Sequence, residues 1–209
     1  MRRLGPPPLV CLITPGQANP ENYVSESGKV LDAVRSAVDD GVSMIQIREK
    51  QLPARLLFEL AFDSVEITRG SSTRLIVNDR VDIAVAAGAD GVHLPESSFR
   101  PGLVRSAFGD QLIIGKSVHS IDSARAAAED RPDYIFFGPV FETPGKGPAV
   151  GLELLTRVRD SVPDIPLIAL GGIDEHNWRQ AIDAGAAGIA AIRSLNDPDV
   201  RRRMIGGLR

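Results

Sequence analysis

The 209-residue sequence has little of three things that usually narrow a function. It contains a single cysteine, Cys11, which excludes a disulfide within the chain and a cysteine-based metal framework, and which favours a reducing compartment. The apolar run at 9–13 is too short for a signal-peptide core, and no stretch is long enough to span a membrane. The net charge of −3 excludes a general attraction to nucleic acid or to an anionic membrane. We therefore expect a cytoplasmic protein that binds neither.

Short apolar segments do recur along the chain, and a segment with helical spacing follows each of them. The predicted strands are 9–14, 44–49, 75–77, 91–94, 112–115, 134–137, 167–170 and 189–192. The predicted helices are 28–40, one from Pro53, 81–87, 101–108, 121–129, 151–162, 175–184 and 198–208. This alternation indicates a parallel βα architecture, either an open doubly wound sheet or a closed barrel.

The turn after the first predicted strand decides between these two architectures. An open nucleotide-binding sheet favours a G-x-G-x-x-G turn there, whereas this chain has Thr14-Pro15-Gly16-Gln17. The eight strand-helix units also match a small barrel. We predict an α/β fold, a (β/α)8 TIM barrel, that residues 1–209 form as a single domain.

Polar residues collect where the predicted strands end, which is the face of a barrel that carries chemistry. Arg48 and Lys50 extend the polar side of the second strand, and a buried cation requires an anionic partner. Arg48 could form a structural ion pair with Glu49 or Asp79, or it could hold an anionic ligand. Asn78 and Asp79 could likewise serve only as a helix cap.

The three histidines differ in their sequence surroundings. His93 lies between Val92 and Leu94, which indicates a packed and hydrogen-bonded ring, and His176 is expected on the surface. His119 follows a strand end beside a hydroxyl and a lysine, so it is the candidate catalytic histidine. Gly171-Gly172 joins a strand to a helix, where exposed amides bind phosphate.

Seven segments together resemble the thiamine-phosphate synthase/TenI family. They are QIREK (46–50), VNDRVD (77–82), ADGVHL (89–94), GKSVH (115–119), DYIFFGPVFET (133–143), ALGGI (169–173) and AGAAGIA (184–190). The resemblance implies a barrel that acts on a phosphorylated thiazole. In that family the synthase joins hydroxymethylpyrimidine diphosphate to thiazole phosphate with the help of Mg²⁺. The TenI tautomerase instead moves a proton in a thiazole carboxylate phosphate and uses no metal.

The resemblance also implies roles for individual residues. The positions that match the diphosphate and metal shell are Arg48, Lys50, Asn78, Asp79, Thr143 and Lys146. Those that match the pyrimidine contacts are Gln46 and Ser117. Those that match the thiazole-phosphate site are Gly171, Gly172, Arg193 and Ser194.

Three departures from the synthase pattern favour the tautomerase. Ser98 stands where the synthase has an aspartate that binds Mg²⁺, and a hydroxyl replaces a carboxylate poorly around a hard cation. Gly145 replaces a threonine that faces the diphosphate, and Arg193 replaces a serine. The leading hypothesis is therefore a metal-free thiazole tautomerase with His119 as its general acid and base.

Two alternatives stay open. The first is a thiamine-phosphate synthase in which Asp79 binds Mg²⁺. The second is a protein that binds a thiazole or thiamine phosphate without turnover. For either enzyme, the loop from Glu142 to Val150 could close over the substrate, and the barrel side could support a homo-oligomer.

Overall fold

Apolar segments at regular intervals become the eight parallel strands of a closed barrel in the computed structural model, which describes residues 4–145 and 147–208. The strands are β1 (Leu9–Ile13), β2 (Met44–Ile47), β3 (Arg74–Asn78), β4 (Gly91–Leu94), β5 (Ile113–Val118), β6 (Tyr134–Phe137), β7 (Leu167–Leu170) and β8 (Gly188–Ala191). They pair in chain order, and β8 closes the ring by pairing with β1. The predicted (β/α)8 barrel is confirmed.

Helices surround the barrel and cover its outer face. They are α1 (Tyr23–Asp39), α2 (Ala54–Thr68), α3 (Val81–Ala87), α4 (Pro101–Phe108), α5 (Ile121–Glu129), α6 (Gly151–Ser161), α7 (Trp178–Asp183), α8 (Arg193–Asn196) and α9 (Pro198–Leu208). Among the residues that the structure describes, no helix combines the length and the apolar character needed to cross a bilayer.

Side chains from alternate strand positions build two separate cores. The larger core lies between the strands and the helices. The smaller one fills the barrel interior and consists of Leu9, Cys11, Ile13, Met44, Ile76, Ile113, Tyr134, Phe136, Ile168 and Ala190. Burial in that interior raises the pKa of the Cys11 thiol, so the thiol stays protonated. The packed interior leaves the carboxyl ends of the strands as the open face of the barrel.

Several predicted boundaries were wrong for local reasons. Helix α1 begins at Tyr23 rather than at residue 28, because its first turn carries the exposed Val24 and lacks an apolar stripe. Helix α7 begins at Trp178 rather than at residue 175, because Asp174 Oδ1 accepts hydrogen bonds from the amides of His176 and Asn177 in a turn. The four-residue helix α8 was not predicted, since it is too short to show a periodic pattern.

Candidate active site

A cavity of about 950 Å³ opens at the carboxyl ends of the strands. It brings together eleven of the predicted site residues, namely Gln46, Arg48, Lys50, Asn78, Ser117, His119, Thr143, Gly171, Gly172, Arg193 and Ser194. Asp79 follows Asn78 directly and is not itself in the cavity wall. Lys146 lies outside the described residues, so its role and that of the surrounding loop as a lid stay predictions.

Arg48 is a cation at the cavity wall that no carboxylate of the described residues neutralises. The carboxylate of Glu49 is buried and accepts hydrogen bonds from the amides of Gly16 and Ala18 at 2.9 and 2.8 Å. No ion pair to Arg48 is present within residues 4–145 and 147–208. A structural pair with Glu49 or Asp79 is therefore wrong, and Arg48 is available to an anionic ligand.

Gln46 lies at the bottom of the cavity and is 1% exposed. Its Nε2 amide is buried without a hydrogen-bond partner in the described chain. An unsatisfied buried donor costs about 1–3 kcal/mol. A ligand acceptor in the cavity would remove that cost.

Three polar side chains from the adjacent strands β4, β5 and β6 contact one another. His93 Nδ1 is 3.2 Å from the Tyr134 hydroxyl, and His93 Nε2 is 2.7 Å from Ser117 Oγ. Burial, with the nearby charges of Lys116 and Arg48, lowers the pKa of His93 to about 3, so the ring is neutral at physiological pH. His93 is buried and hydrogen-bonded as predicted. Its place in the cavity wall was not predicted, because the strand pattern cannot show which neighbours face it.

Asp79 has a backbone φ of +65°, which is uncommon for a residue other than glycine. Its amide donates to the His93 carbonyl at 2.9 Å, and the Ser98 hydroxyl donates to its Oδ1. The alternative that Asn78 or Asp79 caps helix α3 is wrong, because Arg80 occupies the N-cap position and no side chain caps that helix. Unusual backbone conformations of this kind concentrate at functional sites.

The groups around Asp79 limit the number of protein ligands that a metal ion could find there. Across the described ranges, no three His, Cys, Asp or Glu side chains gather as a metal cluster. Mg²⁺ requires less than this, since one or two carboxylates together with substrate phosphates commonly hold it. Asp79 supplies one carboxylate, with Ser98 hydrogen-bonded to it where a second was expected. This set fits a Mg²⁺ ion that enters with a diphosphate.

Lys116 fixes the loop that carries Ser98. Its ammonium is largely buried, and it donates to the carbonyl oxygens of Pro95, Glu96, Ser98 and Phe99 at 2.8, 3.1, 3.3 and 3.2 Å. Burial lowers the pKa of Lys116. The sequence did not reveal this role, because carbonyl partners in a loop leave no pattern in residue types.

His119 lies at the exposed edge of the cavity next to Glu96. Its Nδ1 contacts the Gly138 carbonyl oxygen at 2.5 Å, which assigns the proton to Nδ1 because a carbonyl only accepts. Its Nε2 is 3.9 Å from Glu96 Oε2, and its amide donates to Glu96 Oε1 at 3.2 Å. Nε2 is therefore the nitrogen that could exchange a proton with a ligand.

The segments after β7 and β8 present backbone amides and one cation to the cavity. Gly171 and Gly172 have φ of +94° and +64°, and a Cβ at either would come within 2.5 Å of Pro139 Cα or the Glu142 carbonyl oxygen. Their carbonyls accept from the Phe141 amide and from Asn177 Nδ2. Neither glycine amide donates to another described residue, so both can serve an anion.

Arg193 and Ser194 follow at the start of α8. Arg193 is exposed in the cavity wall and adds positive charge on the side of the two glycines. The Ser194 hydroxyl donates to the Ile173 carbonyl at 2.8 Å and so ties α8 to the loop after β7.

Comparisons with known proteins agree with this geometry. Residues 10–195 match the family model described as thiamine monophosphate synthase, TMP-TENI. A protein of Geobacter sulfurreducens is 46% identical over 178 residues, which cover 83% of each chain. The thiamine-phosphate synthase of Roseiflexus castenholzii is 37% identical over 182 residues, which cover 84% of this chain and 79% of that one.

A solved structure is similar along nearly the whole chain. The thiamine phosphate pyrophosphorylase of Pyrococcus furiosus superposes with a TM-score of 0.81 at 30% identity, and the match covers 96% of both chains. Nothing in these comparisons indicates the tautomerase branch specifically. The chain belongs to the thiamine-phosphate synthase/TenI family and is an enzyme of thiamine biosynthesis.

Proposed function

We propose that the protein is a thiamine-phosphate synthase, which couples hydroxymethylpyrimidine diphosphate with thiazole phosphate and releases pyrophosphate. The observation that carries this proposal is the buried Gln46 amide, which has no hydrogen-bond partner in the part of the chain that the structure describes. Gln46 shares the cavity wall with Arg48, Gly171 and Gly172, and a pyrimidine ring nitrogen bound in the cavity would accept its hydrogen bond. A tautomerase that binds only a thiazole has no pyrimidine to place there.

The size and charge of the cavity support the same reaction. About 950 Å³ is ample for two small substrates together. Arg48 and Lys50 follow β2, whereas the two glycines follow β7 and Arg193 follows β8. Two anionic groups can therefore bind at two separate places in one cavity, with a heterocycle between them.

The chemistry follows from holding both substrates together. The lone pair of the thiazole nitrogen attacks the methylene carbon next to the pyrimidine ring, and the bond from that carbon to the diphosphate oxygen breaks. The electron pair leaves with pyrophosphate.

Gln46 and Ser117 orient the pyrimidine, and the phosphate-binding amides place the thiazole nitrogen beside the reacting carbon. Arg48 and Lys50 stabilise the charge that develops on the leaving group. When bound, with Asp79 as a ligand, Mg²⁺ supplies further neutralisation of the pyrophosphate.

The tautomerase, which the departures at Ser98, Gly145 and Arg193 favoured, remains as the second candidate because of one observation. The bond from His119 Nδ1 to the Gly138 carbonyl leaves Nε2 as a proton acceptor at the cavity edge. In a tautomerase, this nitrogen would take a proton from the thiazole carboxylate phosphate and return it elsewhere on the ring. The Ser98 departure counts less against the synthase than the sequence suggested, because the Asp79 carboxylate is present and Ser98 contacts it.

One parallel assay separates these functions. The purified chain is given hydroxymethylpyrimidine diphosphate and thiazole phosphate with Mg²⁺ or with a chelator, and thiamine phosphate is quantified. In separate reactions it is given the thiazole carboxylate phosphate tautomer. We expect thiamine phosphate only with Mg²⁺. Tautomer conversion without coupling would overturn the proposal in favour of the second candidate. Thermal stabilisation by thiazole phosphate without turnover in either assay would indicate a protein that only binds its ligand.

A further inference from the structure

The buried contacts of Tyr134 determine how hydrogen atoms are arranged on the cavity floor, which is the part of the cavity wall that Gln46, His93 and Ser117 form. Tyr134 is completely buried, and among the described residues its hydroxyl has one hydrogen-bond partner, His93 Nδ1. A phenol offers one hydrogen and two lone pairs. A buried hydrogen without an acceptor is costly, whereas a hydroxyl oxygen tolerates unused lone pairs. The arrangement that satisfies both groups has Tyr134 donating to Nδ1.

The direction of the hydrogen bond from Tyr134 then determines which nitrogen of the His93 ring carries the proton. His93 is 2% exposed and no carboxylate contacts its ring within the described chain, so the ring is neutral and carries one proton. With Nδ1 accepting from Tyr134, that proton lies on Nε2. Nε2 therefore donates across 2.7 Å to Ser117 Oγ. The Ser117 oxygen becomes an acceptor toward His93, and its own hydrogen is free to point into the cavity.

The strand register leaves room for this chain of contacts. Gly115 pairs with His93 on one side and with Tyr134 on the other. A Cβ at Gly115 would lie 2.5 Å from the Tyr134 hydroxyl and 2.6 Å from His93 Nδ1. Only glycine allows the two groups to meet across this strand.

We propose that Tyr134 and His93 are positioning residues that set Ser117 as a hydrogen-bond donor to the substrate. Ser117 and Gln46 Nε2 then present two donors on the cavity floor. This pair favours a neutral heterocycle that offers lone pairs, such as the ring nitrogens of an aminopyrimidine, over one that offers N–H groups. The preference rests on the proposed synthase function for its substrate, but the tautomeric state of His93 does not.

The first experiment measures that state directly and needs no turnover. The chain has three histidines, so ¹⁵N-histidine NMR with His119→Gln and His176→Gln variants for assignment isolates the His93 signals. We expect a protonated Nε2 and an unprotonated Nδ1. A protonated Nδ1 would overturn the proposal, whatever the enzymatic assays show. Absence of synthase activity alongside a protonated Nε2 would remove the proposed function and leave the arrangement of hydrogens intact.

The second experiment tests whether this arrangement acts through Ser117. Tyr134→Phe removes only the hydroxyl, so the fraction of His93 that is protonated on Nδ1 should rise. Because Ser117 is then less often held as a donor, kcat/KM for the pyrimidine substrate should fall about threefold to tenfold. The loss should disappear when Tyr134→Phe is added to Ser117→Ala, because no serine hydrogen remains to be directed. Tyr23→Phe, at the only other tyrosine and outside the cavity wall, should change neither the NMR signals nor kcat/KM. An equal loss in the Ser117→Ala background, or no loss in either, would overturn the positioning role.

Discussion

The floor and the rim of the cavity differ in how the protein holds their polar groups. The floor consists of Gln46, His93 and Ser117 in the cavity wall, on strands β2, β4 and β5, together with Tyr134 of β6, which is buried against His93. The rim consists of Glu96 and His119 in the cavity wall, with the hydrogen-bonded pair of Asp79 and Ser98 just outside it, in the segments that follow strands β3, β4 and β5. Floor contacts join neutral groups inside the barrel, whereas the rim contacts of Asp79 and Glu96 involve carboxylates in partly or fully exposed residues.

In the proposed synthase, this difference would assign substrate recognition to the floor and the stabilisation of charge to the rim. Burial fixes the positions of hydrogens on the floor, so the floor can distinguish one heterocycle from another. Exposed side chains on the rim can exchange protons and meet a hydrated ion, so the rim is suited to the leaving group. Lys116 connects the two regions, because it belongs to β5 and holds the loop that carries Glu96 and Ser98.

The rim should show the largest effect when its charge is removed. Asp79→Asn keeps the shape of the side chain, and asparagine tolerates the positive φ, so only the carboxylate charge is lost. We expect kcat/KM for thiamine phosphate formation to fall about 100-fold to 1000-fold, with more Mg²⁺ needed for half-maximal rate. Asp82→Asn, at an exposed carboxylate that pairs with Arg80, is the matched control. Equal kinetics for the two variants would show that the rim does not handle the diphosphate.

The buried His93 of the floor should make the free energy of unfolding depend on pH. His93 has a pKa of about 3 in the folded chain against an ordinary 6.5, so below pH 6.5 the unfolded chain binds a proton that the folded chain does not. The free energy of unfolding must then decrease as the pH falls, by about 2 kcal/mol between pH 7 and pH 5 from this residue alone.

Urea unfolding of the wild type and of His93→Gln at both pH values checks this expectation. The two proteins share their other titrating groups, so the difference between their acid-induced losses isolates the ring. The loss in His93→Gln should be smaller by about 2 kcal/mol. Equal losses would mean that the ring is not held neutral by burial.

The barrel was predictable from sequence, whereas the separation of floor and rim was only partly so. Strands such as Tyr134–Phe137 are continuous apolar runs, and their alternation with helical segments indicates the fold. Gln46 and Ser117 were identified through motifs. The link through His93 and Tyr134 was not, because it depends on the register that places Gly115 between them. The carbonyl contacts of Lys116 also depend on a loop conformation that residue types do not encode.

A smaller effect on activity is expected from the floor amide itself. Gln46→Met keeps the length of the side chain and removes the buried donor that has no partner among the described residues. We expect kcat/KM for the pyrimidine substrate to fall about tenfold, as one substrate hydrogen bond is lost. Thermal unfolding should occur at an equal or higher temperature, because an unsatisfied polar group has been removed. Gln180→Met, at an exposed glutamine on α7, controls for the added methionine. A large fall in stability would show that the amide has a structural role.

The smallest effect on the synthase reaction is expected at His119, although its side chain is exposed in the cavity wall. Coupling the two substrates needs no proton transfer at the reacting carbon, because the thiazole nitrogen attacks with a lone pair. His119→Ala keeps the backbone amide that donates to Glu96 and removes only the contact of Nε2 with Glu96 Oε2 at 3.9 Å, so it should reduce thiamine phosphate formation by no more than about threefold.

The same variant separates the two candidate functions most sharply. A tautomerase that uses His119 Nε2 as its acid and base would lose about 100-fold or more of its rate in His119→Ala. His176→Ala, at an exposed histidine that also borders the cavity, should leave either activity nearly unchanged. A large loss of thiamine phosphate formation in His119→Ala alone would contradict the assignment of the pyrimidine ring of the substrate to the floor and of the pyrophosphate leaving group to the rim. It would require a proton transfer in the rate-limiting step, and the bond from Nδ1 to the Gly138 carbonyl places the proton acceptor for it at Nε2.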